Sequence, residues 1–190
     1  MKRIAITGNI ACGKSCAFDI IKDFGCKIID SDDIVNGLYE ENSIIEHIEK
    51  LFPKVVSNNN IDKKALSNML FSDKIQKQKF ENFLYPKVLN KINEFFEENK
   101  SETTCFVIVP LLFEAGFEKY FDKILLITAD EEIRKERLIK RNSVLSNCAE
   151  KVIESQITQD KKTERCDYVI ENNGTLEEFK NAVERFLKAL

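Results

Sequence analysis

Residues Gly8-Asn9-Ile10-Ala11-Cys12-Gly13-Lys14-Ser15 follow directly on a short apolar run, Ile4-Ala5-Ile6-Thr7, and no other feature restricts the fold as much. Two glycines five positions apart, then lysine and serine, make the pattern G-x-x-x-x-G-K-[ST], which binds phosphate only between a strand and a helix. The backbone N–H groups of the tight loop and of the helix N-terminus then converge on the phosphates. Lys14 brings a positive charge to the β and γ oxygens, and Ser15 offers its hydroxyl to Mg²⁺. Glycine lets the backbone approach closely. The pattern indicates nucleotide binding and does not by itself name a reaction.

The rest of the chain agrees with that context. Five short apolar runs, about 3–7, 26–30, 105–109, 123–128 and 167–171, read as strands buried on both faces, because they are continuous rather than alternating. Helical stretches between them predict an α/β fold, a five-stranded parallel sheet between two helical layers. The long gap after the second run, 33–104, reads as a helical insertion, leaving 1–32 and 105–190 as the core. Within it Ser43-Ile44-Ile45-Glu46 has the form of a capping box. Phe71, Phe80, Phe83, Leu84, Val88, Leu89, Ile92, Phe95 and Phe96 recur at helical spacing and read as core and inter-helix contacts. Asn58-Asn59-Asn60 reads as a polar loop, and His47 as an ordinary surface or boundary residue.

Composition narrows the partners. A formal net charge of −3 argues against broad binding to nucleic acid or anionic membrane. The apolar N-terminal run is too short for a signal-peptide core, and no stretch reaches the roughly 18 apolar residues a bilayer demands. The expected location is therefore the cytoplasm. None of the six cysteines forms a C-x-x-C pair, so they read as reduced thiols packed as small hydrophobes.

Two charged groups refine the chemistry. Ile29-Asp30-Ser31-Asp32-Asp33 closes the second apolar run, and ligands of open α/β sheets bind beyond the carboxyl ends of strands. One carboxylate there can organise the waters of Mg²⁺, and another can accept a proton from an attacking hydroxyl. Ser31 or Asp32 could equally cap a helix starting near Asp33, and the two roles are compatible. Further on, Arg134, Arg137 and Arg141 share one helical face. Arg137 and Arg141 have no acidic residue three or four positions away, which suits an anion. A GTPase would need D-x-x-G and N-K-x-D, and neither occurs; the apolar run Phe106–Val109 ends in Pro110 rather than in the carboxylate of a motor-type ATPase.

With these elements in hand, the sequence closely resembles the dephospho-CoA kinase family along nearly its whole length. Thr7–Cys16 (T-G-N-I-A-C-G-K-S-C) resembles the family's T-G-G-I-G-S-G-K-[ST]-T, and Ile29–Asp32 its I-D-A-D. Val109-Pro110-Leu111-Leu112-Phe113-Glu114 reproduces V-P-L-L-F-E, the most family-specific segment. Arg137 and Arg141 match a lid pattern R-x-x-x-R, Gln156 and Lys161 a later Q and K, and Cys166–Gly174 the run A-D-x-V-I-x-N-x-G. Asn9, Ala11 and Cys16 replace Gly, Gly and Thr; Tyr85-Pro86 replaces His-Pro; Arg134 replaces Gln. Ala11 must avoid a positive φ or carry strain.

The resemblance implies a P-loop kinase fold with a substrate-binding helical insertion and a lid near 141–165. It implies transfer of the γ-phosphate of ATP, with Mg²⁺, to the ribose 3′-hydroxyl of dephospho-CoA by a monomer or weak homo-oligomer. Lys14, Asp32 and Arg137 would be catalytic. Gly8, Asn9, Ala11, Cys12, Gly13, Lys14, Ser15, Cys16, Arg137, Arg141, Asn172, Asn173 and Gly174 would hold ATP. Asp32, Tyr85, Pro110, Leu111 and Glu114 would meet the acceptor, and Ser15 and Asp30 the metal. The alternatives are another small-molecule P-loop kinase, acting on a nucleoside, nucleotide or sugar, and a module that binds ATP without transfer.

Overall fold

A computed structural model describes residues 1–142 and 157–190, with residues 141 and 142 by backbone alone. The elements in the first half are β1 (Lys2–Thr7), α1 (Lys14–Asp23), β2 (Lys27–Asp30), α2 (Ser31–Leu38), α3 (Asn42–Leu51), β3 (Val56–Ser57), β4 (Asn60–Ile61) and α4 (Lys63–Ser72). The second half adds α5 (Lys74–Glu98), β5 (Thr104–Ile108), β6 (Lys123–Thr128), α6 (Glu131–Asn142), α7 (Gln159–Thr163), β7 (Tyr168–Glu171) and α8 (Leu176–Lys188). The chain divides into two compact units, Met1–Asp30 with Phe96–Leu190, and Ser31–Phe95.

The first unit holds the expected parallel sheet, in the order β2-β5-β1-β6-β7. β1 is central, pairing Ile4 with Phe106 on one side and with Lys123 on the other. Ile4 and Ile6, Phe106 and Ile108, and Leu125 and Ile127 alternate onto one face. There they pack with Ala17, Ile20 and Ile21 of α1 and with Phe179, Val183 and Leu187 of α8. Ala5, Val107 and Leu126, between them, are equally buried, which is why these strands read as unbroken apolar runs. α8 starts at a true capping box: the Thr175 hydroxyl accepts from the Glu178 N–H (3.2 Å), and the Glu178 carboxylate accepts from the Thr175 N–H (2.7 Å). The parallel register collects the ends of β1, β2, β5, β6 and β7 along one edge, where a ligand crevice belongs.

The second unit buries Ile44, Ile45 and Ile48 of α3 with Phe52, Leu66, Phe80, Leu84, Val88 and Ile92. It departs from the sequence expectations in four places. α3 begins at Asn42, with Glu41 at the N-cap and no side-chain capping bond, so Ser43 is already helical and forms no capping box. The stretch is not wholly helical: β3 and β4 pair as a small hairpin across Asn58 and Asn59, whose φ angles are 49° and 59°. Two consecutive left-handed residues are what a two-residue hairpin turn demands, and asparagine tolerates them better than most residues. Phe71 is 84% exposed rather than core. Asp73 accepts from the N–H groups of Ile75 (2.8 Å) and Gln76 (3.1 Å), so a new helix starts at Lys74 and Phe71 falls out of phase with the α5 stripe. Finally, Ser31 and Asp32 lie inside the first turn of α2, not at its cap. His47 is exposed and stacks on Phe83 with ring centroids 3.8 Å apart.

Cys12, Cys16, Cys26, Cys105 and Cys166 are free. Burial raises the Cys12 and Cys105 thiols and pushes Cys166 up to about 11, so these sulfurs are packing atoms rather than thiolates at neutral pH. Cys148 lies outside the described residues. Among those residues, no helix is long and apolar enough to cross a membrane.

Candidate active site

The phosphate loop runs from the end of β1 into α1 as its spacing requires. A Cβ on Gly8 would collide with the Ile127 carbonyl oxygen of β6, and one on Gly13 with the Asn172 amide nitrogen. Gly13 also has φ 107°, at the N-cap of α1, and no side chain caps that helix. The contrast with α8 is informative: where Thr175 and Glu178 fill the first-turn donors of α8, the first turn of α1 carries neither cap nor acidic residue. Its N–H groups and dipole are left for an anion. Lys14 Nζ donates to Gly8 O (2.7 Å) and Asn9 O (3.0 Å), which lays the ammonium across the loop. Ser15 follows and is exposed.

Ala11 adopts φ 63°, so it takes the strained alternative. A left-handed alanine is disfavoured by roughly 1–2 kcal/mol, of which glycine's extra freedom in the unfolded chain would offset part. Ala11→Gly should therefore stabilise the protein by up to about 1 kcal/mol, read as a rise of about 2–4 °C in melting temperature. A fall in melting temperature would show that the Ala11 methyl, which packs on Leu138, matters more than the strain.

Behind the loop, Asn172 leaves the end of β7 and is buried. Its Nδ2 donates to Cys12 O (2.8 Å), while Arg137 Nη2 donates to Asn172 O (3.0 Å) and Arg137 Nη1 to Ala11 O (3.4 Å). Arg137 and Asn172, distant in sequence, thus clasp the loop backbone together. Asn173 exchanges two bonds with Asp130 at the start of α6, at 2.8 and 2.9 Å. A cleft of about 280 Å³ opens here, lined by Gly13, Cys16, Arg137, Asn172, Gly174, Leu176 and Phe179. One apolar side (Leu176, Phe179) facing one cationic side (Arg137) suits a flat base attached to phosphates.

On the far side of the loop, Val109 N donates to Ile6 O (2.9 Å) and the Thr7 hydroxyl to Pro110 O (3.4 Å). These bonds hold Pro110 beside the loop's first residue, with Leu111 46% exposed next to it. Glu114, one turn on, lies 3.1 Å from Lys162 Nζ, and Lys162 has no exposed surface. The same short helix carries Gln159, whose amide clamps Ala129 at both backbone groups (3.0 and 2.9 Å) and accepts from Cys12 Sγ (3.3 Å). Asn9 Nδ2 donates to Ile157 O (3.0 Å). The sequence does not mark Lys162, Gln159 or Arg134 as site residues. Lys161, one residue away, was the lysine the resemblance picked, and only a buried lysine among apolar neighbours would have signalled otherwise.

Asp30 ends β2 in the first unit, while Asp32 and Tyr85 belong to the second. Tyr85 donates to Glu81 (2.9 Å) and precedes Pro86, which sits inside α5. Having no N–H, Pro86 leaves the Asn82 carbonyl without its helical donor. The Arg141 side chain, Gln156 and residues 143–156 of the expected lid lie outside the described residues.

Comparison with known proteins agrees with this geometry. The dephospho-CoA kinase family model matches residues 2–178. A dephospho-CoA kinase of Fusobacterium nucleatum is 36% identical over 98% of this chain and 97% of its own length. Among solved structures, TT1252 from Thermus thermophilus superposes with a TM-score of 0.86 at 29% identity, covering 100% of this chain and 97% of that one. A dephospho-CoA kinase from Campylobacter jejuni gives 0.73 at 28% identity, covering 98% and 95%. With a family model spanning almost all of it and a relative this similar over its full length, the chain belongs to the dephospho-CoA kinase family.

Proposed function

We propose that the protein transfers the γ-phosphate of ATP to the ribose 3′-hydroxyl of dephospho-CoA, giving CoA and ADP, in the cytoplasm. The observation that carries the reading is the loop: an uncapped helix N-terminus with Lys14 laid across it, tied through Thr7 and Pro110 to the Val109–Glu114 segment. The phosphates of ATP sit on the N–H groups of residues 8–16, and the base enters the cleft between Arg137 and Phe179. Lys14 and Arg137 neutralise the transferring phosphoryl group, whose transition state spreads charge over its equatorial oxygens. Mg²⁺ keeps most of its waters and needs only one or two protein oxygens beside the phosphates. The exposed Ser15 hydroxyl and the Asp30 carboxylate, both at the loop edge of the sheet, fit that demand. Ser15 and Asp30 would hold the ion, which would supply positive charge against the phosphate oxygens.

Asp32, in the first turn of α2, accepts the proton of the attacking hydroxyl. Tyr85, Pro110, Leu111 and Glu114 contact the acceptor, and the second unit carries most of its binding surface.

An ADP-release assay with ATP and Mg²⁺, offering dephospho-CoA, AMP, uridine or gluconate, tests the reading. Rapid turnover with dephospho-CoA alone is expected. Preference for another acceptor would keep the loop chemistry and reject the substrate; no turnover with any would leave a module that only binds ATP. In the same assay Asp32→Asn should lower kcat by about a hundredfold while retaining ATP affinity. Unchanged transfer would make Asp32 an ordinary first-turn residue.

A further inference from the structure

α6 lies along the outside of the phosphate loop. Leu138 packs on Ile10 and Ala11, and Arg137 reaches the Ala11 carbonyl. One turn back on the same face is Arg134, 4% exposed. Its Nε and Nη1 are buried and donate to nothing among the described residues. Its Nη2 comes only to 4.0 Å from Glu131, a carboxylate that is 69% exposed. Its charge is felt at Cys12 of the loop: burial raises that thiol, with the charges of Lys14 and then Arg134 pulling the other way.

A desolvated guanidinium with two donors unfilled among the described residues is unfavourable without an anion nearby, and a long contact to a solvated carboxylate returns little. A polyphosphate on the loop brings negative charge close by, across a layer from which water is excluded and where screening is weak. We propose that Arg134 is a positioning charge behind the phosphate loop, compensated by bound nucleotide phosphate, so that it tightens nucleotide binding while destabilising the empty protein. The inference rests on the loop being an ATP site. It assigns a role to a side chain that contacts neither the base cleft nor the acceptor. It also explains why an arginine is tolerated in a buried position with Nε and Nη1 unfilled among the described residues.

The test uses the full chain and Arg134→Gln, which keeps an amide donor and removes the charge, beside Arg134→Lys, which restores it. ADP affinity is measured by calorimetry at several salt concentrations, and ligand-free melting temperature by circular dichroism. Arg134→Gln should bind ADP about tenfold more weakly, about 1.4 kcal/mol, with a flatter salt dependence. It should melt, without ligand, at the same temperature as the parent or higher. Arg134→Lys should recover most of the affinity. Parent-like ADP binding by Arg134→Gln, or a ligand-free melting temperature several degrees lower, would overturn the inference and make Arg134 a structural residue. If the parent itself fails to bind ADP, it is the ATP reading that falls, a result separable from either.

Discussion

Lys14→Ala should fold like the parent and transfer phosphate at least about a thousandfold more slowly. The two halves of that expectation have different origins. Lys14 is half-buried, and the bonds it makes to Gly8 O and Asn9 O are ones that solvent can partly replace. Each contributes about 1 kcal/mol or less to stability, so the melting temperature should move by only a few degrees. In phosphoryl transfer the protein does little covalent chemistry, and a fixed ammonium facing the β/γ oxygens has no substitute once water is excluded. Lys14→Arg should also be impaired, because a planar fork cannot occupy the place of a compact point charge. Turnover, ATP affinity and thermal melting together decide the matter. Parent-like turnover in a folded Lys14→Ala protein would sink the mechanism, whereas loss of folding would reassign Lys14 to structure.

What could be read from the sequence was chemistry that depends on neighbours along the chain. The loop is recognisable because a strand, two glycines, a lysine and a serine must occur at fixed offsets for any phosphate to be held there. The strands are recognisable because burial on both faces leaves continuous apolar runs, and the sheet places them as expected. Arg137 stands out because no acidic residue lies three or four positions away to pair with it.

What could not be read depends on which distant segment returns to which place. The resemblance puts Asn172 at the nucleotide, but nothing local shows that it donates to Cys12 O across 160 positions and is clasped by Arg137. Lys162 stands beside Lys161 with nothing local to tell the two apart, yet Lys162 is the fully buried one and lies 3.1 Å from Glu114. The β3–β4 hairpin is invisible in the sequence for a different reason: two-residue strands are too short to carry a period-2 pattern, and only the asparagines hint at the turn. Phe71 fitted a helical spacing that Asp73 interrupts by starting a new helix, and a single capping carboxylate is enough to reset the phase.

Gly8→Ala should be among the most damaging single methyl additions in the protein, at about 3 kcal/mol or more, a drop of roughly 6–12 °C in melting temperature. The colliding atom is the carbonyl oxygen of Ile127, a residue with no exposed surface in a strand paired on both sides, to β1 and to β7. Backbone in that position cannot rotate aside as a side chain can. Relief would mean lifting the loop off β6, which also misplaces the N–H groups that phosphate requires, so ADP affinity should fall together with stability. Gly13→Ala should also damage the fold, because φ 107° is strained for any side chain, but the atom in its way is an amide nitrogen of the Asn172 side chain rather than backbone, so the clash is relieved at the expense of its bond to Cys12 O. Gly37→Ala provides the control. It lies within α2 with nothing near its added Cβ, and should stabilise by about 0.5–1 kcal/mol through helix propensity alone. If Gly8→Ala melts within a degree or two of the parent, the loop is not wedged against β6, and the close approach cannot be what demands glycine there.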